Sequence, residues 1–291
     1  MLAIGLTLFH PSRTQVDDIV RRYAGSPHPI LAFDNGGLAH GDRATLETAG
    51  VRLLSAGTNV GIAAALNAVV EVAALGGADA ILLLDQDAQV GPDMLDALAQ
   101  ARDRLRGENL TCAVVGPVPG RADASAKPPR VRPRPGRPAV GPLQPVEYLA
   151  TSGSLVDVAA FRAVGPFRAD YFIDGVELEW CFRAWHAGYG CWMAADATIG
   201  HRVGGGTIRA LGIETPRQPL FRMATYLRNS IYGWRLPHVP LAWKLRQLAY
   251  LPVQTVLYWR DSGYRPAVLR RLARAVLDGL RGRLGRPVDA P

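Results

Sequence analysis

Two carboxylates that directly follow a short apolar run are the residues of this sequence best suited to chemistry. Asp85 and Asp87 come immediately after four apolar residues, 81–84, and the segment is bounded by the glycine pair 76–77 and by Gly91-Pro92. So short a run between turn residues predicts a strand buried on both faces. Because an unpaired charge inside such a strand is costly, both acids should lie where the strand ends. Open parallel sheets bind ligands at that edge.

The chemistry that two such carboxylates favour is the binding of a hard divalent cation. Mg²⁺ prefers oxygen ligands and leaves coordination positions open for the oxygens of a substrate phosphate. The alternative is a polar turn in which Asp87 lies near the start of the helix expected after Pro92. The spacing of the two acids is compatible with both interpretations.

Other acids, and one histidine, occur at the ends of predicted elements. Asp34 follows the second predicted strand, Asp174, Glu177 and Glu179 lie at the start of a predicted helix, and His201 follows a late strand. Acids in a first helical turn are favoured by the helix dipole, so a purely structural role for the two glutamates is the alternative. A single histidine has many roles, and His201 alone does not indicate a metal.

Strands and helices alternate with short connections over the first 115 residues, which predicts an α/β protein with a doubly wound, mostly parallel sheet. The predicted strands are at 3–9, 29–33, 51–54, 80–84 and 112–115, and the predicted helices at 15–23, 42–49, 62–75 and 92–105. Residues 117–145 then hold nine of the 22 prolines together with five arginines. So much proline predicts a loop. This loop is either a solvated surface segment or a flap over the cleft that touches a substrate phosphate.

The C-terminal part differs from the rest in charge. Residues 217–291 contain 14 Lys/Arg and three Asp, a charge of +11, whereas the whole chain carries +8, which leaves −3 for residues 1–216. Helices are predicted at 220–234, 241–259 and 267–284. We therefore divide the chain into a catalytic domain, 1–215, and a basic amphipathic helical tail, 216–291. Tail aromatics beside Arg suit an anionic membrane surface, and packing on the body or on a second subunit is the alternative.

Composition limits the class of protein. The 291 residues are 48% hydrophobic and 20% charged, as in folded soluble proteins. The three scattered cysteines form neither a disulfide framework nor a metal motif, which indicates a reducing compartment. Residues 1–9 lack the basic start and cleavage site of a signal peptide. No apolar run approaches 18 residues, so no membrane-spanning helix is expected.

As a set, the polar motifs resemble the family 2 inverting glycosyltransferases of GT-A fold, and among them the bacterial rhamnosyltransferase-like group. The resemblance covers roughly residues 3–260. The segments that carry it are Phe33-Asp34-Asn35, Asn59-Val60-Gly61-Ile62-Ala63 with Asn67, Leu84-Asp85-Gln86-Asp87, Thr151-Ser152-Gly153-Ser154, Phe172-Ile173-Asp174, Glu179-Trp180-Cys181 and Arg228-Asn229.

The resemblance implies a role for each matching residue. It assigns Mg²⁺ or Mn²⁺ to Asp87 with His201 as a second ligand. The general base matches Glu177, where the family more often has Asp, so Asp174 or Glu179 could share that role. The nucleotide-sugar site would be formed by Asp34, Asn59, Gly61, Asn67, Asp85, Ser152 and Gly153.

The expected activity is metal-dependent, inverting transfer of rhamnose from dTDP-rhamnose to a lipid-linked or polysaccharide acceptor at the inner face of the cytoplasmic membrane. No nucleic-acid partner is expected, and a homodimer is left open. The alternatives are a UDP-hexose or UDP-galactofuranose donor, a nucleotidyltransferase, or a non-catalytic glycan-assembly protein. A nucleotidyltransferase should have a Gly-rich, basic loop after the first strand, where this chain has His10-Pro11-Ser12-Arg13.

Overall fold

The computed structural model describes residues 1–91, 93–121, 131–201, 206–210 and 213–291, and for Gln89, Arg121, His201 and most of residues 207–216 it describes the backbone alone. Pro92, the expected start of a helix, and residues 122–130 of the expected flap lie outside these ranges. The expected helices and strands otherwise fall within them.

The chain forms alternating strands and helices in its first half and mainly helices at its end. The strands are β1 Leu2–Leu8, β2 Ile30–Asp34, β3 Val51–Ser55, β4 Ala80–Asp85, β5 Gln89–Val90, β6 Cys112–Arg121, β7 Leu143–Pro145, β8 Ser154–Asp157, β9 Gly190–His201, β10 Thr207–Ala210 and β11 Ile213–Pro216. The helices are α1 Arg13–Tyr23, α2 His40–Thr48, α3 Ile62–Leu75, α4 Met94–Gly107, α5 Val158–Val164, α6 Val176–His186, α7 Leu220–Tyr232, α8 Leu241–Asp261 and α9 Pro266–Arg281. Single 3₁₀ turns occur at Ala169–Tyr171 and Gly233–Arg235.

In the described part of the chain, nine strands form one sheet in the order β3-β2-β1-β4-β8-β6-β9-β5, with β7 beside β9. The first four are parallel, as expected from the alternation of strands and helices. The second half of the sheet is mixed, because β8 runs antiparallel between β4 and β6. The Gly153 N–H donates to the Leu83 carbonyl at 2.8 Å, so the chain enters β8 from the edge at which β4 ends and has to run in the opposite direction.

The run at residues 81–84 is buried on both faces, as its composition predicts. Each of its four side chains is at most 1% exposed. Ile81 and Leu83 pack with α3 on one face, whereas Leu82 and Leu84 pack with α1 and α4 on the other. Burial ends at Asp85, which is half-buried, and Asp87 is exposed. The two acids therefore lie where the core meets solvent.

The three C-terminal helices share a small core of their own. It consists of the buried side chains of Met223, Ala224, Leu227, Leu251, Leu272 and Ala275. The same helices are joined to the sheet domain by hydrogen bonds from Arg228 and Asn229 to residues 171–174. None of the helices in the described ranges is long and apolar enough to cross a membrane.

Candidate active site

Gln86, between the two acids, fixes the end of β4 to the end of β1. The Phe9 N–H donates to Gln86 Oε1 at 2.7 Å, and Gln86 Nε2 donates to the Phe9 carbonyl at 3.1 Å. This reciprocal pair holds the turn that carries Asp85 and Asp87. The sequence signal for this role is an amide side chain between two acids at a predicted strand end. Such an amide can both donate to and accept from backbone groups of a neighbouring strand.

The loops after β2 and β3 are joined by amide side chains. Asn35 Oδ1 accepts from the Val60 N–H at 2.8 Å, and Asn59 Oδ1 accepts from the Gly61 N–H at 2.9 Å. Asp34 accepts from Arg43 Nη2 at 2.7 Å and from the Gly36 N–H at 3.0 Å. Asp34, Asn59 and Gly61 thus lie at one edge of the sheet, where a nucleotide could bind.

The C-terminal segment lies against the same edge. Asn59 Nδ2 donates to the Pro291 carbonyl at 2.9 Å. Arg286 Nη1 donates to the Asn59 carbonyl at 3.2 Å and to Thr58 Oγ1 at 3.3 Å. Arg286 and Pro291, which are 227 and 232 positions from Asn59, therefore border the predicted nucleotide-sugar site.

Gly61 brings this loop into contact with the segment before α6. Its φ is +83°, and a Cβ at this position would lie 2.6 Å from the Phe172 carbonyl oxygen. The next residue, Ile62, donates its N–H to the same carbonyl at 2.8 Å. Glycine is required here both for the backbone conformation and for the close approach.

We expect Gly61→Ala to lower turnover on the order of tenfold, because the added methyl group must displace the segment that leads to the catalytic acids. The matched control is Gly77→Ala, which has a φ of +86° but open space around the position of its Cβ. Both variants should lose about 1–3 kcal/mol of unfolding free energy from a positive φ that alanine adopts poorly. Turnover and thermal unfolding of the two variants would be compared, and equal turnover would contradict the steric role.

Residues 171–174 are held in a strained conformation by two buried side chains of α7. Phe172 and Asp174 both have a φ of +64°, which is unfavourable for residues other than glycine. Asn229 Nδ2 lies 3.1, 3.0 and 2.9 Å from the carbonyl oxygens of Tyr171, Ile173 and Asp174. Arg228 Nη2 donates to the Tyr171 carbonyl at 3.1 Å. The Arg228-Asn229 motif therefore positions, from within the protein, the segment that leads to the candidate acids of α6.

Asn67 has a similar internal role. Its Nδ2 donates to the Phe167 carbonyl and its Oδ1 accepts from the Phe167 N–H, both at 2.8 Å. The amide thereby supports the segment from Pro166 to Tyr171. Its place in the nucleotide-sugar site stays a prediction. Because both polar atoms of the Asn67 amide bond to Phe167, Asn67 would affect nucleotide-sugar binding by positioning this segment.

Three carboxylates and one guanidinium come together where β4 ends. Arg222 donates to Asp174 from Nη2 at 2.5 Å and from Nε at 3.3 Å. Asp85 and Glu177 are close enough that both, with Asp174, raise the pKa of Arg222 in spite of its burial. Sequence reasoning missed Arg222, since it is 48 residues from Asp174 and has no distinguishing spacing among the tail arginines.

Glu177 has the electrostatics of a general base. Burial raises its pKa, and the negative charges of Asp174 and Asp85 raise it further, whereas Arg222 opposes them. The side chain lines a largely apolar cavity with Leu149, Phe167 and Trp180. A carboxylate with a raised pKa accepts a proton more readily near neutral pH. Burial also raises the pKa of Asp174, although Arg222 opposes it; what distinguishes Asp174 is that Arg222 donates to both of its carboxylate oxygens.

Glu179 is engaged in a structural cluster. Its carboxylate accepts from Arg183 at 3.1 and 3.0 Å and lies 2.8 Å from His238 Nε2. Although burial opposes it, these two partners lower the pKa of Glu179. Arg183 also donates to the Val164 carbonyl at 3.0 Å. Glu179 therefore joins α6 to α5 and the tail, with its carboxylate occupied by Arg183 and His238.

Ser152 and Gly153 lie beside the acids of β4. Ser152 Oγ accepts from the Asp85 N–H at 3.0 Å. Gly153 has a φ of +88°, and a Cβ there would lie 2.7 Å from Ile199 Cδ1. Both residues thus shape the floor of the site around Asp85.

The residues at the end of β4 have the chemistry that a divalent cation needs. Asp87 provides an exposed carboxylate two residues from Asp85. β5 and β9 are antiparallel, with Gln89 paired to Gly200. The backbone of His201, the next residue of β9, therefore lies one position beyond that pair, on the side of Asp87. The His201 side chain lies outside the described atoms. Within the described ranges, no cluster of three or more His, Cys, Asp or Glu forms a metal site. The metal assignment stays a prediction.

Comparison with known proteins gives one relative of similar length. No family model matches the chain. The chain is 27% identical over 242 residues to dTDP-rhamnosyl transferase RfbF of Shigella flexneri. The matched region covers 81% of this chain and 80% of the relative. The expected resemblance to the rhamnosyltransferase-like group is confirmed by this match.

Two solved structures share the fold. S. aureus TarS 1-349 in complex with UDP-GlcNAc has a TM-score of 0.62 at 11% identity, covering 96% of this chain and 80% of that one. GalNAc-T7 with UDP, GalNAc and Mn²⁺ has a TM-score of 0.56 at 13% identity and covers 86% of this chain. This chain spans about half, 54%, of the GalNAc-T7 chain. The expected GT-A architecture is confirmed.

Proposed function

We propose that this glycosyltransferase of GT-A fold transfers rhamnose from dTDP-rhamnose, with inversion, to a hydroxyl group of a lipid-linked or polysaccharide acceptor. The observation that carries the proposal is the position of Glu177. It is a half-buried carboxylate whose pKa is raised by burial and by the charges of Asp174 and Asp85, at the edge of the sheet where β4 ends. The relative of similar length, RfbF, is named a dTDP-rhamnosyl transferase, which supports the donor.

In the proposed reaction, Glu177 takes the proton of the acceptor hydroxyl while its oxygen attacks the anomeric carbon of the donor. The bond from that carbon to the diphosphate oxygen breaks, and the nucleoside diphosphate leaves with the bonding electrons. A single displacement inverts the anomeric centre. Arg222 and the clamp of Arg228 and Asn229 keep the segment before α6 in place during this step.

The leaving diphosphate carries a large negative charge close to Asp85 and Asp174. Asp87 would hold Mg²⁺ or Mn²⁺, with His201 as a second proposed ligand and Asp85 beside the nucleotide sugar. When bound, the cation neutralises charge on the departing diphosphate. The GalNAc-T7 structure contains Mn²⁺ with UDP, which supports a divalent cation here.

The donor is the main alternative within this class. TarS binds UDP-GlcNAc in its crystal structure, and donor choice depends on a few contacts in the pocket. A UDP-hexose or UDP-galactofuranose donor is therefore the second candidate. The residues that hold the phosphates and the cation would be the same for either donor.

The test is turnover with a panel of sugar nucleotides, with and without Mg²⁺ or Mn²⁺. We expect metal-dependent release of dTDP from dTDP-rhamnose, and faster turnover than with UDP-glucose, UDP-galactofuranose or UDP-GlcNAc. Preference for a UDP-sugar would overturn the donor but not the class. Release of pyrophosphate from dTTP and a sugar phosphate would indicate a nucleotidyltransferase. Nucleotide binding without turnover of any donor, offered with a range of glycan acceptors, would indicate an assembly protein.

A further inference from the structure

An uninterrupted apolar stripe lies on the solvent side of α8. Leu241, Leu245, Leu248 and Val256 are 69, 57, 54 and 56% exposed, and they recur at helical spacing. Ala242, Ala249 and Pro252, also exposed, lie between them. At 1.5 Å per residue the stripe is about 22 Å long. Large apolar side chains in such an arrangement mark an interaction surface.

The exposure is not caused by detachment of the helix. The opposite face of α8 is buried through Gln247, Leu251, Gln254 and Leu257. Gln254 Nε2 donates to Thr215 Oγ1 at 3.0 Å, and Tyr258 Oη donates to the Gln218 carbonyl at 2.9 Å. The stripe is thus presented outward by a helix whose inner face is fixed.

Positive charge accompanies the apolar stripe. Arg260 is the second-last residue of α8, and Arg265 precedes α9. The exposed face of α9 carries Arg270, Arg274 and Arg281 together with the exposed Leu269, Leu277 and Leu280. Two of the three tail acids are already paired, Asp261 with Arg217 at 2.6 Å and Asp289 with Arg271 at 2.7 Å. The two adjacent helices, which share one inner core, therefore together expose both apolar and strongly basic side chains.

We propose that the α8 stripe inserts into the headgroup region of an anionic lipid bilayer, with the arginines of the α8–α9 connection and of α9 contacting lipid phosphates. Amphipathic helices bind in this way through apolar area and attraction to anionic lipid. A guanidinium donates several hydrogen bonds to phosphate oxygens while its methylene stem covers apolar surface.

A second copy of the chain fits this surface less well. An isologous dimer buries one surface against an identical one, so two strongly basic surfaces would be brought together and repel each other. With two of the three tail acids already paired, little negative charge is available to offset that repulsion. An anionic bilayer offers an apolar layer and opposite charge at once.

The test is co-flotation of the full chain with vesicles of phosphatidylcholine and phosphatidylglycerol at equal amounts, compared with phosphatidylcholine alone. We expect binding to the anionic vesicles that weakens as NaCl is raised from 50 to 500 mM, since the attraction is screened. Leu248→Glu should lower the partition coefficient about tenfold or more, because a charge replaces an inserted apolar side chain. The matched control is Leu75→Glu, at the end of α3, where the leucine is 84% exposed.

Equal flotation of Leu248→Glu, Leu75→Glu and the unchanged chain would overturn the proposal. So would equal binding to neutral and anionic vesicles. Light scattering after size-exclusion chromatography identifies the other occupant: if Leu248→Glu converts a dimer into a monomer without changing flotation, the stripe is a dimer interface. Release of dTDP with a soluble acceptor serves as a separate readout. Leu248 lies on the outward face of α8, so its variant should keep that activity whether or not the membrane proposal holds.

Discussion

Replacing Glu177 by glutamine is expected to lower turnover at least ~100-fold while leaving donor binding intact. The amide keeps the size and polarity of the side chain but cannot take a proton from the acceptor hydroxyl. Turnover would be measured with saturating donor, and donor affinity by titration calorimetry. Glu71→Gln is the matched control, because Glu71 is an exposed glutamate of α3 outside the site.

The pH dependence of the unchanged enzyme should report the same carboxylate. Burial and the nearby charges of Asp174 and Asp85 raise the pKa of Glu177 above its ordinary 4.5. The rate should therefore fall as the pH drops through this raised pKa, at a higher pH than for an ordinary glutamate. Between 4.5 and the raised pKa the folded state binds more protons than the unfolded state, so this group lowers the free energy of unfolding as the pH rises. Glu177→Gln should accordingly be at least as stable as the unchanged enzyme at neutral pH.

Asp174 offers the discriminating comparison for the base. If Asp174→Asn were inactive with unchanged unfolding free energy while Glu177→Gln kept its turnover, the base would be Asp174. The structure favours Glu177, since Arg222 occupies both oxygens of Asp174.

Replacing Asp87 by alanine is expected to abolish transfer together with metal-dependent nucleotide binding. The variant removes the exposed carboxylate at the end of β4 and leaves the buried strand itself unchanged. The measurement is the shift in melting temperature on adding dTDP, with and without Mn²⁺, alongside turnover. The shift that depends on Mn²⁺ should disappear, because a divalent cation needs its carboxylate ligands.

Asp96→Ala provides the control for that experiment, since Asp96 is exposed on the first turn of α4. It should retain both the metal-dependent shift and turnover. Unchanged turnover of Asp87→Ala would remove the metal assignment, and a loss of turnover with the metal-dependent shift preserved would give Asp87 a role other than holding the cation.

Local sequence patterns were sufficient for the parts of the fold that depend on local physics. The apolar run at 81–84 predicts a strand buried on both faces and places Asp85 and Asp87 at its end, because a buried strand cannot hold unpaired charge. The alternation of apolar runs and amphipathic segments likewise predicts the parallel half of the sheet. The reversal at β8 was not predicted, since it depends on the path that the chain takes back to the end of β4.

Within the site, the sequence alone identified the acids at element ends but not their partners. It offered Asp174, Glu177 and Glu179 as equivalent acids at one helix start. Only the tertiary structure separates them, by placing Arg222 on Asp174, Arg183 and His238 on Glu179, and Asp85 near Glu177. Arg183 and Glu179 are four residues apart within α6, whereas the other pairings join residues tens of positions apart through the packing of α7, β4 and the tail against α6. Residue type and spacing determine which groups can do chemistry, whereas charge and burial, which set their pKa values, depend on which distant elements pack together.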